Sequence, residues 1–152
     1  MTHLFHNAFF PVLALVLGVG LPMTATGCTN TRAHIRIDAT QDANAAGAGA
    51  AGAPVYVMIR AVTADAFATD DYAAIEALAS QALTGKLPEG MPSPPVRVVP
   101  GERLWLHVKL PAGQSWAVYA LYTDARDDGS WKQLMTPAKI TRVELGREAI
   151  LR

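Results

Sequence analysis

Cysteine is almost missing from this chain. Cys28 is the single one among 152 residues, which rules out an internal disulfide. Four fates remain for the thiol: a bridge between chains, a free sulfhydryl, a metal site completed by other residue types, or covalent modification. An excess of charge is missing too. Thirteen basic residues balance thirteen acidic ones, and all follow Cys28, so nothing in the net charge draws the chain to nucleic acid. Histidine is scarce. Only His34 and His107 lie after Cys28, each on the polar side of a different expected strand, where a solvated or structural ring is the natural reading. Two partial motifs lack decisive residues. GQSWA at 113–117 has Ala117 where a nucleophile elbow ends in glycine, and no helix is expected after Ser115. DARDDG places Arg126 and Met135 where a calcium loop requires oxygen ligands. With no phosphate-cradling loop, metal cluster or pair of carboxylates on one face, neither an enzyme nor a bound metal or cofactor is expected.

Long apolar runs are also few, and the longest has a recognisable size. Residues 8–21, AFFPVLALVLGVGL, match the apolar core of a secretory signal and fall short of the roughly 20 residues a membrane span needs. Ala25, Thr26, Gly27 and Cys28 follow, and this small-residue run ending in cysteine resembles a bacterial lipobox. Small side chains fit an extended segment into a peptidase cleft, and the thiol becomes a thioether to diacylglycerol. Ala25 stands where leucine is commonest, and MTHLFHN has no Lys or Arg. The competing reading is an uncleaved apolar helix with Cys28 a free thiol. Thr29, where aspartate would signal retention in the inner membrane, favours the outer membrane. The expected organisation is a signal peptide over 1–27, a lipidated tether over 28–32, and one domain over 33–152, since about 125 residues suffice for one core.

Within that domain, AHIRIDA at 33–39 alternates as a half-buried strand. Residues 40–53, TQDANAAGAGAAGA, lack any large apolar side chain and read as a flexible loop. PVYVMIRAV from 54 predicts a second strand with Val55, Val57, Ile59 and Ala61 on one face and Tyr56, Met58 and Arg60 on the other. Tyr72, Ile75, Leu78, Ala79, Ala82 and Leu83 then recur at helical spacing, predicting a helix over about 70–83 with Asp70 and Asp71 in its first turn. The prolines of LPEGMPSPP end it. ERLWLHVKL alternates most cleanly, with Leu104, Leu106, Val108 and Leu110 inward and Trp105 and His107 outward. SWAVYALYT is apolar on both faces and predicts a strand covered on both sides. KITRVELGREAIL closes with one or two short strands. About seven strands and one principal helix make a mainly β sandwich with a helical insertion.

Cys28 after the signal, VYVMIRAV running into TADAFATDDYAAI, VVPGERLWLHV, and SWAVYALYTDA followed by WKQL together resemble the type VI secretion system lipoprotein family, called TssJ, SciN or VasD. The resemblance implies a transthyretin-like two-sheet β-sandwich with one inserted helix. It also implies an outer-membrane lipoprotein, on the periplasmic face, that docks the inner-membrane protein TssM and catalyses nothing. The loop between the first two strands, 40–53, is then the expected partner contact, through Gln41, Asp42 and Asn44. The alternatives are another periplasmic sandwich-domain lipoprotein that binds a different envelope protein or a small ligand, and a lipid-anchored hydrolase dependent on Ser115.

Overall fold

The computed structural model describes residues 31–46, 49–110, 114–135 and 140–151; the expected signal core, Cys28 and its lipidation lie outside the described residues. Strand β1 (Thr31–Ala39) pairs antiparallel with β4 (Arg103–Leu110) and parallel with β7 (Ile140–Leu145), whose other edge carries β8 (Ile150–Leu151). β1 opens inside the stretch expected to be tether. The second sheet has the order β3 (Val96–Val98), β2 (Val55–Val62), β5 (Ser115–Leu121), β6 (Lys132–Met135). Two helices, α1 (Ala64–Thr69) and α2 (Tyr72–Leu83), connect β2 to β3. Eight strands replace the expected seven because the closing segment turns back at Gly146, whose N–H donates to Ala149 O.

The core follows from alternation. Ile35 and Ile37 of β1, Val108 and Leu110 of β4, and Val143 and Leu145 of β7 are buried on the inner side of their sheet. Val55, Val57 and Ile59 meet them from β2, alongside Val118 and Ala120 of β5. Trp105 and His107 face outward as expected. Leu104 and Leu106 are only partly buried, so truncation there costs less than the roughly 2–5 kcal/mol of a closed site.

The helices lie over the outer face of the second sheet. Ile75, Ala79 and Ala82 form the buried stripe of α2. Tyr72 stacks edge-on against Trp131 at 5.0 Å and donates its hydroxyl to Tyr122 O. This cover explains Met58, which shares a face of β2 with Tyr56 and Arg60, as the alternation predicts, and is fully buried. It also explains why β5, central in its sheet, is apolar on both faces.

The helical region departs from expectation at its start. Thr63 caps α1 by accepting from Ala66 N at 3.2 Å, and Asp71 caps α2 by accepting from Ala74 N at 3.3 Å. Asp70 is therefore not in the first turn of the long helix. It ends α1, accepts the Tyr119 hydroxyl and lies 3.5 Å from Arg60. Burial and the adjacent Asp70 push the Tyr119 phenol upward, so it stays a donor.

Among the described residues, no helix lies on the outer face of the β4-β1-β7-β8 sheet. Here Asp38 receives three arginines: Arg36 Nε at 2.9 Å, Arg103 Nε at 2.7 Å and Arg142 Nε at 2.9 Å. Burial raises the Asp38 carboxyl, but hydrogen bonds and charge from Arg103 and Arg36 outweigh it and hold the group at about 2. A carboxylate depressed below its ordinary 3.8 stabilises the fold above that value and loses the contribution as pH falls through about 2. Asp38→Asn should thus be less stable than wild type at neutral pH. Urea midpoints of the two should converge between about pH 4 and pH 2.

Candidate partner-binding site

Four connections gather at one end of the sandwich, where β1 finishes and β2 starts. They are the β1–β2 loop, the Pro100-Gly101 turn before β4, residues 122–131 after β5, and the Gly146 turn between β7 and β8. Thr31 lies at the opposite end. Nine residues of strand at about 3.3 Å each separate the two by roughly 25–30 Å.

The base of the β1–β2 loop is built rather than loose. Thr40 N donates to Leu145 O at 2.9 Å, Ala43 N to Thr40 O at 3.2 Å, and Ala45 N to Asp42 O at 3.1 Å. Ala43 and Ala45 are buried, and small side chains let the turn sit on the core. Gly52 closes against it: a Cβ there would stand 2.6 Å from Ala43 O and 2.7 Å from the Pro100 ring, so only glycine fits. Gly101, at φ +79, lies under the Gln41 amide, which a Cβ would meet at 2.4 Å.

The three expected contact residues play different parts. Gln41 is exposed and spans Gly101. Asp42 is half-exposed, accepting from Thr40 Oγ1 at 2.7 Å and Arg147 Nη2 at 3.1 Å. The Thr40 hydroxyl, outweighing burial, and then Arg147 hold its carboxyl below the usual range. Asn44 corrects the expectation. It is buried, sits at φ 54 and spends its amide inside the fold: Nδ2 donates to Pro54 O at 2.9 Å, and Oδ1 accepts from Thr123 N at 2.7 Å. The side chain braces the loop to the end of β5 and is not presented to a partner. What protrudes is Ala46 and residues 49–51, whose side chains are methyl groups or hydrogen.

Elsewhere, Ser115 opens β5, while both histidines belong to the other sheet. His34 and His107 are direct cross-strand partners, their rings edge-to-face at 4.7 Å. Their places on strands far apart in the chain carry no sign of that pairing. Among the described residues no group of three His, Cys, Asp or Glu could hold a metal ion. Residues 124–129 form a solvated turn in which Asp128 Oδ1 accepts from Ser130 N at 2.9 Å.

The family model for the IglE N-terminal domain matches residues 56–145, more than half of the chain. The chain belongs to the IglE N-terminal domain family. This is a type VI secretion lipoprotein-like family, and the mainly β sandwich is its fold. The IglE-type domain is similar to the type VI secretion lipoprotein TssJ1 from Pseudomonas aeruginosa, at 22% identity and TM-score 0.59, over 80% of this chain and 93% of that one. It is likewise similar to Lip from Serratia marcescens, a membrane-bound component of the type VI secretion system, at 19% identity and TM-score 0.54, over 80% and 96%. A third match is a chain in the structure of the type VI secretion protein TssM C-terminal domain from EAEC, at 19% identity and TM-score 0.60, over 79% and 95%. No curated protein matches the chain in sequence.

Proposed function

We propose that this chain is a lipoprotein anchored through Cys28 in the outer membrane, where its domain holds the periplasmic part of a TssM-like inner-membrane protein. In this role it nucleates the type VI secretion membrane complex. The observation that carries the reading is the polarity of β1. The strand begins three residues after the lipidation candidate and ends, roughly 25–30 Å away, at the loop expected to meet a partner. An acyl anchor at one end and a grip at the other suit a protein that bridges a membrane to a second protein. Family membership and a fold found in TssJ1 and Lip support it. The domain binds and positions; the lipid on Cys28 is its only non-protein group.

The contact is made by Gln41, by Asp42, by exposed backbone at Ala46 and 49–51 and by the turns beside them. Ordering backbone costs about 1–2 kcal/mol per residue, so the built base at 40–45 is the more efficient half of the surface. Metabolic labelling with a palmitate analogue should mark the wild type and not Cys28→Ser. Shortening 46–51 to two glycines, combined with Gln41→Ala, should weaken binding of the partner's periplasmic domain by about tenfold or more, equivalent to 1.4 kcal/mol. Its melting should be nearly unchanged. Unaltered affinity would move the grip elsewhere, and equal labelling of Cys28→Ser would remove the anchor.

A further inference from the structure

The balanced composition conceals a segregation of charge. Outward along the β4-β1-β7-β8 face, which no described helix covers, the register gives four rows. Arg32 stands beside Lys109; His34 lies between His107 and Ile140; Arg36 lies between Trp105 and Arg142; Asp38 lies between Arg103 and Glu144. Five cations and two anions therefore share a face of a chain that is neutral in total, and the rest of the molecule is left net negative by three. Both anions occupy the row farthest from Thr31. There Asp38 is already shared by three arginines, and Glu144 accepts from Arg142 at 3.3 Å. The half nearest Thr31 has no acid in its rows, and neither Arg32 nor Lys109 joins an ion pair among the described residues. The same half carries Ile140, 61% exposed, with Trp105, 45% exposed, at its margin.

We infer that this half-face rests on the anionic phospholipid headgroups beside the acyl anchor; the inference depends on lipidation of Cys28, as proposed above. Arg32 is four residues from Cys28, and an extended chain spans at most about 3.6 Å per residue, so Arg32 stays within about 14 Å of the anchored residue and Lys109 lies at most one strand spacing, about 5 Å, beyond it. Unpaired cations at those distances lie within about two Debye lengths of the lipid charge at physiological salt. A tryptophan and an isoleucine between cations suit the boundary between headgroup and acyl chain, where an amphipathic ring is favoured. An acidic protein partner would meet the same cations, but nothing would then account for their acid-free half lying next to the tether. The far rows spend their three arginines on Asp38 and Glu144 and keep a net charge of one against two in the half nearest Thr31, so the domain leans on that half and its loop end points away from the membrane. The lipid contact thus sets the direction in which the grip points.

Trp105 supplies the test, because Trp116 and Trp131 are buried and an aqueous quencher reaches the face chiefly through Trp105. The mature lipoprotein is reconstituted into vesicles of phosphatidylethanolamine and phosphatidylcholine, with or without phosphatidylglycerol. Acrylamide quenching should fall by about threefold when phosphatidylglycerol is present, and recover near 1 M salt, where the Debye length is about 3 Å. Arg32→Glu with Lys109→Glu should abolish the difference, and the milder Arg32→Gln with Lys109→Gln should reduce it, both keeping the wild-type melt. Equal quenching in the two vesicle types, in a chain that carries acyl label and floats with vesicles, overturns the inference while leaving the anchor intact. Shielding of Trp105 that appears only on adding the partner's periplasmic domain also overturns it and assigns the face to protein. A chain that takes no acyl label and floats no better than Cys28→Ser removes the anchor and the inference with it.

Discussion

Asn44→Ala should lower the free energy of unfolding by about 2–4 kcal/mol, although the residue lies in a loop of alanines and glycines. The substitution leaves Thr123 N–H and Pro54 C=O without the partners that now stand at 2.7 and 2.9 Å. Both bonds are part-buried, so each group left without its partner costs toward the low end of the roughly 1–3 kcal/mol of a buried one. Alanine must also hold φ 54, a left-handed conformation that asparagine tolerates and most residues do not. Asn44→Gly separates the two effects, since it restores the backbone freedom and not the amide. Gln41→Ala, at an exposed site, should stay within about 0.5 kcal/mol of wild type. Urea denaturation of the three variants gives the ranking, and equal stability of Asn44→Ala and wild type would return that side chain to the candidate contact surface.

Lys132→Met should cost a similar amount, about 2–4 kcal/mol, through a helix six residues long. Helix α1 has no basic residue of its own in the last turn, and its final carbonyls need donors. Lys132 reaches across from β6 to supply them, with Nζ 2.7 Å from Phe67 O and 2.9 Å from Asp70 O. The ammonium also lies 5.1 Å from the centre of the Phe67 ring and 5.3 Å from that of Trp131. Methionine retains the apolar stem and removes every donor, so the loss measures the polar contacts rather than packing. Limited proteolysis should become faster between Thr63 and Asp71 in this variant, and an unchanged cleavage rate would show that α1 holds without the cap.

Where a segment carries its own period, the sequence disclosed its structure. The alternation of Ile35 and Ile37, of Val55 and Val57, and of Val108 and Leu110 marked three strands and their inner sides. The spacing of Ile75, Ala79 and Ala82 marked α2. Helix α1 escaped because six residues with one large apolar side chain, Phe67, make less than two turns of pattern. For Met58 the alternation shows which neighbours share its face and not its burial, since a period of two cannot say that a helix will cover that face. The candidate site was legible as a position between two strands and not as a set of side chains. Alanine and glycine read as slack, yet in a turn pressed against a core their small size is what permits close approach. Asn44 followed by small residues, with Pro54 and Pro100-Gly101 near, was the available hint. The meeting of Asp38 with three arginines, and of His34 with His107, depends on register between distant strands, which one sequence does not reveal.

The parallel pairing of β1 with β7 bears on the order in which the chain matures. His34 stands opposite Ile140, roughly a hundred residues later. The first strand therefore cannot complete its ladder until nearly the whole polypeptide has been made. Closing loops of that length is slow relative to hairpin formation, and topologies rich in such pairings fold in milliseconds to seconds rather than microseconds. Made before the other described strands, β1 is among the last to be fully paired. One edge can be protected early by β4, while the other keeps its hydrogen-bonding groups open until Ile140–Leu145 arrives. The interval during which this domain is vulnerable to aggregation is thus set by the synthesis and docking of β7.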